Sequence, residues 1–344
     1  MNANNVPKVS IRLPSYNHEK YVKECIDSVL NQTFQDFEII VTDDASTDNT
    51  AKIIEGFHDP RIHLEVSPEN HGCSYTVSEC MKRAKGKYIA NLCSDDVWER
   101  EKLQKQVDYL DKHPECDAVF TKVRLIDDDG NFIVQTDSSY RNVFEVENRT
   151  KEQWLNYFFH FGNCLCIPSV MIRKEVYDSL CYQDKRMANL SDFDLWVRFC
   201  LHHELHIMEE RLTRFRLRAN EANASGNRIE THIRSRFEYK QILDNYLKIK
   251  DVQELIDIFP ECAKYAPQRP ELIPYILGRL ACDAQEDFKQ LWGLETVFCF
   301  LEREENAKLL AETVGFSYVD FYALSGSLDP FGLRQRQDLN SQIQ

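Results

Sequence analysis

Apolar and polar positions alternate through residues 9–13 (Val9, Ile11 and Leu13 against Ser10 and Arg12), which predicts a strand that stops at Pro14-Ser15-Tyr16-Asn17. A helical stripe follows, with Val22, Cys25, Ile26, Val29 and Leu30 at i, i+3, i+4, i+7 and i+8. Residues 37–41 form an apolar run that ends in Asp43-Asp44. Ser46 or Thr47 then suits the cap of a second helix, whose stripe is Thr50, Ile53, Ile54 and Phe57. Residues 61–66 read as a third strand, 67–72 as a loop, and Val77, Cys80, Met81 and Ala84 as the buried side of a third helix. Gly86 introduces a fourth apolar run, 88–92, which ends close to Asp95-Asp96. Strand and helix alternating in this way predict a mostly parallel, doubly wound sheet with helices on both faces.

Downstream, a helix through Leu103, Val107 and Leu110 is expected to stop before Pro114, and 118–126 to form a strand. Asp129-Gly130 predicts a hairpin turn into 132–134, and 154–159 an aromatic-rich helix. Residues 163–173 alternate as a strand despite Pro168, Ser191 opens a helix burying Leu195, Trp196, Phe199 and Cys200, and 206–218 return as a strand rich in arginine. From about Ile229 the alternation gives way to helical stripes. The expected organisation is an α/β domain at 1–228, a smaller all-helical domain at 229–330, and a polar tail at 331–344.

Composition narrows the function classes. A net charge of −14 argues against nucleic acid as a partner, because such binding needs a basic footprint. Residues 1–8 hold no apolar run of the signal-peptide kind, and no stretch approaches a membrane span. The twelve cysteines include no Cys-x-x-Cys pair, so they read as small core residues of a reducing compartment. The expected location is therefore cytoplasmic, with the inner face of the membrane as a place of work.

Three strand ends carry polar clusters: Pro14 to Asn17, Asp43-Asp44 and Asp95-Asp96. In a parallel sheet these ends share one rim, where open α/β sheets take their ligands. Neither a Gly-x-Gly-x-x-Gly turn nor a Walker lysine loop follows the first strand, which removes the dinucleotide and P-loop readings. Paired carboxylates suit Mg²⁺ or Mn²⁺ and, through it, a diphosphate. Nucleotidyl transfer onto a sugar phosphate would ask for a basic, glycine-rich loop where Pro14 to Asn17 stand.

The residues at 9–17, the helix ending Ser28-Val29-Leu30-Asn31-Gln32-Thr33, the run 37–48 with Asp43-Asp44, Asn70-His71-Gly72, the approach 84–96 and the segment Ser191 to Trp196 together resemble family 2 glycosyltransferases of the GT-A fold, over roughly residues 7–225. The resemblance implies that Pro14, Ser15, Tyr16, Asn17, Asp43, Asp44, Asn70, Gly72, Asp95 and Arg218 line the nucleotide-sugar site. It implies that Asp95 and Asp96 hold a divalent cation, and that Asp192 is the general base. Ser191 and Asp194 form a pattern close to a capping box, which assigns Asp194 to structure. His71, His160 and the aromatics at 157–161 read as loop and packing residues. Three positions depart from the family pattern: Cys93 for the first Asp of an Asp-x-Asp run, Ser191 for Glu or Gln, and Arg218 for His.

The expected function is an inverting, metal-dependent hexosyltransferase. Its donor is a nucleotide sugar, UDP-linked, and its acceptor a saccharide or lipid-linked saccharide hydroxyl in surface polysaccharide biosynthesis. The stripes of the helical domain leave three roles open: a homo-oligomer surface, a dock for a partner enzyme, or a lid over the acceptor. The alternative is a catalytically degenerate GT-A protein that binds a nucleotide sugar or a partner without turnover.

Overall fold

The first strand shows why this chain winds as it does. In β1 (Val9–Ser15), Val9, Ile11 and Leu13 enter a core shared with Val22, Cys25, Ile26 and Val29 of helix α1 (Val22–Leu30). Ser10 and Arg12 face the other way, yet they too are buried, because the sheet is covered on both faces. Ser10 Oγ donates to Glu38 Oε1 at 2.6 Å and accepts from the Gly86 N–H at 2.7 Å, so this polar position stays satisfied under cover. The structure is a computed structural model that describes residues 6–134, 142–265 and 269–334.

These residues group into two compact units, one of Met1–Lys151 with Asn163–His232 and one of Glu152–Gly162 with Ile233–Gln344. In the first, β2 (Phe37–Asp43), α2 (Thr50–Glu55), β3 (Ile62–Val66), α3 (Cys73–Arg83) and β4 (Tyr88–Asn91) follow β1 and α1. Then come β5 (Val97–Trp98), α4 (Lys102–Lys112) and β6 (Ala118–Ile126). Beyond α5 (Lys151–Phe161) lie β7 (Met171–Arg173), α6 (Lys174–Ser179), α7 (Ser191–Cys200) and β8 (Leu205–Arg216). The strands form one eight-stranded sheet in the order β3-β2-β1-β4-β7-β6-β8-β5. Its first four strands are parallel, β7 runs against both neighbours, and β8 lies parallel to β6 and antiparallel to β5. Register aligns Ser15 with Asp43 and Arg12 with Asn91, which brings the polar strand ends to one rim.

Three local expectations change. Only Met171–Arg173 of the 163–173 run is strand, because Pro168 supplies no N–H and its carbonyl is taken by Trp98 Nε1 at 2.8 Å inside a 3₁₀ turn, Ile167–Ser169. The turn at Gly130 forms with φ +83°, but the return strand is a single bridge between Ile126 and Phe132. The N-cap of α2 is neither Ser46 nor Thr47 but Asn49, whose side chain makes no capping bond; the preceding Asp48 Oδ1 accepts from the Thr50 N–H at 2.9 Å, while Ser46 is engaged by Asp43.

The second unit is helical. In α5, Trp154, Leu155, Phe158 and Phe159 are buried. Tyr246 Oη donates to the Leu155 carbonyl at 2.8 Å, and Phe159 meets Tyr246 and Phe259 edge-on, so an aromatic helix between two sheet strands packs with the helices. Those helices are α8 (Ile229–Leu243), α9 (Val252–Ile258), α10 (Ile273–Cys282), α11 (Asp287–Leu301), α12 (Glu304–Val314) and α13 (Tyr318–Ser327). α10 and α11 touch at Gly278 and Gly293, where a Cβ on Gly293 would stand 2.5 Å from the Gly278 carbonyl oxygen. The polar tail expected at 331–344 lies, from residue 335 on, outside the described residues.

Candidate functional site

The rim is assembled by backbone turns that its own carboxylates hold. Asp43, fully buried at the end of β2, accepts from Ser15 Oγ (2.7 Å), Ser46 Oγ (2.7 Å) and the Ser46 N–H (2.8 Å). Asp44 takes the N–H groups of His71 and Gly72 at 2.9 and 2.8 Å, and its carbonyl accepts from Asn70 Nδ2 at 3.3 Å. Asn17, in the left-handed region at φ +51°, turns the chain after β1 and accepts from the Thr47 N–H at 2.8 Å. Pro14, Ser15, Asn17, Asp43, Asp44, Asn70 and Gly72 thus form one knitted edge. Tyr16 stands out from it with 43% of its surface exposed, a free aromatic face.

Beside this edge, the turn after β4 presents Asp95 and Asp96, both buried. The carboxylates and Cys93 Sγ lie with their donor atoms within 4.8 Å of one another. β8 fixes the pair: the Arg216 N–H donates to Asp96 Oδ1 at 2.8 Å, and Arg216 Nε donates to the Asp95 carbonyl at 2.7 Å. Arg216 is itself buried, with Nη2 on Glu24 Oε2 at 2.6 Å. Burial first, and the Asp95 charge second, push the Asp96 carboxyl well above the usual carboxylate range. Two adjacent oxygen donors with too little positive charge around them suit a hard divalent cation. Burial, reinforced by Asp96, holds the Cys93 thiol far up and hence neutral, so the oxygens make the donor set.

Arg218 stands over the same pair. Its Nε lies 3.4 Å from Asp95 Oδ2 without making a hydrogen bond, and its Nη1 meets His18 Nε2 at 2.8 Å. A guanidinium can only donate, so Nε2 of His18 is the acceptor and its proton sits on Nδ1, which donates to Ser94 Oγ at 2.7 Å. Burial lowers the His18 pKa, Asp95 opposing and Arg218 adding to the effect, in keeping with a neutral ring. The sequence reading missed His18, although its position directly after Asn17 was a usable signal.

Asp192 lies in the first turn of α7, half-buried. Its Oδ1 accepts from the Phe193 N–H at 2.8 Å and its Oδ2 from Asn163 Nδ2 at 3.1 Å. Burial raises its pKa to about 6 against those two bonds, which favour the charged form. Ser191 makes no cap, and Asp194 is structural in another way than a capping box, with Oδ2 accepting from Arg198 Nε at 2.8 Å. Trp196 is core, edge-on to Phe120. Asn163 was missed because 29 residues separate it from Asp192.

A family model, glycosyl transferase family 2, matches residues 10–176. An uncharacterized glycosyltransferase of Methanocaldococcus jannaschii is 32% identical over 216 residues, 61% of this chain and 71% of that one. The chain is similar to a putative teichuronic acid biosynthesis glycosyltransferase, TuaG of Bacillus subtilis, at 38% identity over 126 residues, 36% of this chain and 50% of the relative. In fold it is similar to residues 1–349 of S. aureus TarS, solved in complex with UDP, with a TM-score of 0.58 at 18% identity, covering 84% of this chain and 88% of that one. The chain has a GT-A fold with a helical C-terminal region and belongs to glycosyl transferase family 2.

Proposed function

We propose that this protein is an inverting glycosyltransferase that moves a sugar from a UDP-linked donor to a hydroxyl of a saccharide or lipid-linked acceptor in polysaccharide biosynthesis. What supports the reading is Asp192, a carboxylate in the first turn of α7 held by Asn163 Nδ2 at 3.1 Å and raised by burial to a pKa of about 6, in a domain that also carries the Asp95–Asp96 pair. Such a base is about nine-tenths ionised at pH 7 yet basic enough to take a proton from an attacking hydroxyl. The acceptor oxygen attacks the anomeric carbon, the bond from that carbon to the diphosphate oxygen breaks, and the hydroxyl proton passes to Asp192. Attack from the face opposite the leaving group inverts the configuration.

Asp95 and Asp96 would hold a divalent cation, Mn²⁺ or Mg²⁺, which when bound supplies charge neutralisation at the diphosphate. Arg218 adds a fixed positive charge beside them, and the exposed face of Tyr16 suits stacking on the base. The UDP bound to TarS and the teichuronic acid role named for TuaG support nucleotide and pathway class. Among the described residues no helix is long and apolar enough to cross a membrane, so a lipid-linked acceptor would be met at the surface of the bilayer.

The test is a binding and hydrolysis screen of nucleotide sugars with and without Mn²⁺, on wild type, Asp96→Ala and Asp192→Asn. The reading expects metal-dependent release of one nucleoside diphosphate, lost in Asp96→Ala. Asp192→Asn should lose transfer by about 10²–10⁴ while keeping nucleotide binding. Binding without turnover in the wild type would favour the degenerate reading, and no binding at all would sink the transferase reading.

A further inference from the structure

Helix α13 shows solvent a row of large apolar side chains. It packs on α11 through Phe321, which is half-buried and meets Phe298 with ring centroids 6.1 Å apart. On its outer side Tyr318, Val319 and Tyr322 follow one another at i, i+1 and i+4, and none of the described residues of α13 is buried. A helix of ten residues draws little stability from propensity alone, and one that is apolar on all sides is ordinarily an interior helix. The apolar surface continues past the helix end. There Arg334 Nη2 donates to the Gly326 carbonyl at 3.2 Å, which folds the chain back, and Phe331 and Leu333 are exposed.

Area and charge narrow what covers this face. Phe298, Tyr318, Val319, Tyr322, Phe331 and Leu333 are between 46% and 71% exposed. Together they offer on the order of 700 Å² to solvent, where the largest apolar patch of an ordinary monomer is about 300–600 Å² and each side of a standard interface covers about 800 Å². A lipid surface fits the charge poorly. α13 holds no Lys or Arg, and residues 302–334 carry six carboxylates against three basic side chains. Helices that lie on anionic lipid are rich in Lys and Arg. The stretch 335–344 has two large apolar side chains, Leu339 and Ile343, too few to match six.

Gly326 points to the occupant. A glycine inside a helix is destabilising relative to alanine, and a Cβ at Gly326 would meet nothing within 4 Å. Packing within the chain therefore does not call for it, whereas close approach of a second backbone would. We propose that this face of α13 is a two-fold interface with a second copy of the chain, the two helices running antiparallel. Such an interface sets the same patch on both copies, so the patch must complement itself. Pairing about the middle of α13 places Tyr322 of one copy against Ala323 of the other, and Val319 of one against Gly326 of the other. The branched Val319 side chain then fills the space that the glycine leaves. The antiparallel course also opposes the two helix dipoles. The interface stands apart from the transferase reading and needs no ligand.

Sedimentation velocity of the full chain, taken up to about 100 μM, tests this, since interfaces of standard size associate at micromolar concentrations or below. Wild type should reach twice the chain's 40.5 kDa. Tyr322→Glu places a charge near the two-fold, and Gly326→Gln fills the space meant for Val319. Each should raise the dissociation constant by at least about tenfold. Gln is the better helix former and meets nothing in its own chain, so the melting temperature of dilute Gly326→Gln should not fall even if Tyr322→Glu folds poorly. A wild type that stays at single-chain mass throughout would overturn the interface. So would a dimer that Gly326→Gln leaves as tight as wild type, because it would form through another surface. Cosedimentation with vesicles of phosphatidylglycerol and phosphatidylethanolamine adds the remaining arm. Wild type should stay in the supernatant, and pelleting that Tyr322→Glu abolishes would give this face to lipid and overturn the proposal.

Discussion

Asn163 holds Asp192, the proposed base, and its removal has a calculable consequence. Its Nδ2 donates to Asp192 Oδ2 at 3.1 Å, while its own Oδ1 is fixed by the Leu165 N–H at 3.0 Å, so the amide cannot turn over without breaking that second bond. A bond to the carboxylate favours the ionised form. Asn163→Leu keeps the γ-branched shape, deletes the donor and should raise the pKa. A hydrogen bond to a charged group contributes about 1.5–3 kcal/mol, and one pKa unit is about 1.4 kcal/mol; a bond as long as this one belongs at the lower end, or about one unit. The acid limb of kcat/KM, expected near pH 6 in the wild type from the raised Asp192 carboxyl, should move to about 7. Because the base works deprotonated, the variant loses at low pH: its ionised fraction at pH 6.5 falls from about three-quarters to about one-quarter, a threefold drop that vanishes by about pH 9. The assay is initial-rate transfer across pH 5–9 at subsaturating donor. A limb that stays near 6 in Asn163→Leu would refute the hold on the base, and a wild type with no limb near 6 would refute Asp192 as the base.

Arg216→Met should cost at least about 3 kcal/mol in a urea titration, since it strips charge-assisted bonds from the Asp95 and Asp127 carbonyls and from Glu24. It should also weaken UDP binding, because the Asp95 turn loses its anchor; full UDP affinity in a folded variant would show that the turn stands without it. Gly86→Ala would put a Cβ 2.4 Å from the Ser10 nitrogen and 2.7 Å from the Val9 carbonyl carbon, backbone that must shift. The expected loss is about 1–3 kcal/mol of stability, and an unchanged thermal midpoint would contradict the close packing of that turn on β1. Arg218→Leu should strengthen Mn²⁺ binding in the absence of nucleotide and weaken UDP binding, since a positive charge 3.4 Å from Asp95 repels one and attracts the other. Two metal titrations, with and without UDP, decide it, and a change of the same sign in both would count against a charge effect.

The α/β order and the rim were legible because hydrophobic period and strand-end chemistry are local signals. Val9, Ile11 and Leu13 announce β1, and Asp43-Asp44 and Asp95-Asp96 fall where a parallel sheet puts its ligands. What sequence could not give were partners brought from afar. Arg216 reaches Asp96 across 120 residues and Arg218 reaches His18 across 200, and no window holds both members of either pair. Residues 163–173 failed as a long strand because alternation cannot see that Pro168 spends its carbonyl on Trp98. The aromatic helix α5 was found, but the unit it packs with is set by Tyr246 and Phe259, far along the chain.

The electrostatics of the rim bear on whether the protein turns over substrate. Asp96 is buried beside a second carboxylate, Asp192 is pushed up to about 6 by burial, and Arg12 lies under cover with no carboxylate in ion-pair reach among the described residues. Each of these arrangements destabilises the fold on its own account, and simple substitutions to neutral residues would relieve them. Stability-limited chains shed such features where nothing depends on them, and keep them where a ligand's charge completes the set. Arg12 stands in β1, Asp96 in the turn after β4, which pairs with β1, and Asp192 in the first turn of α7. A module that only bound a partner through its helices would have no use for buried charges of both signs in the sheet unit. On the proposed reading, a cation and diphosphate at the acid pair and a hydroxyl proton at Asp192 would satisfy both carboxylate sites at once.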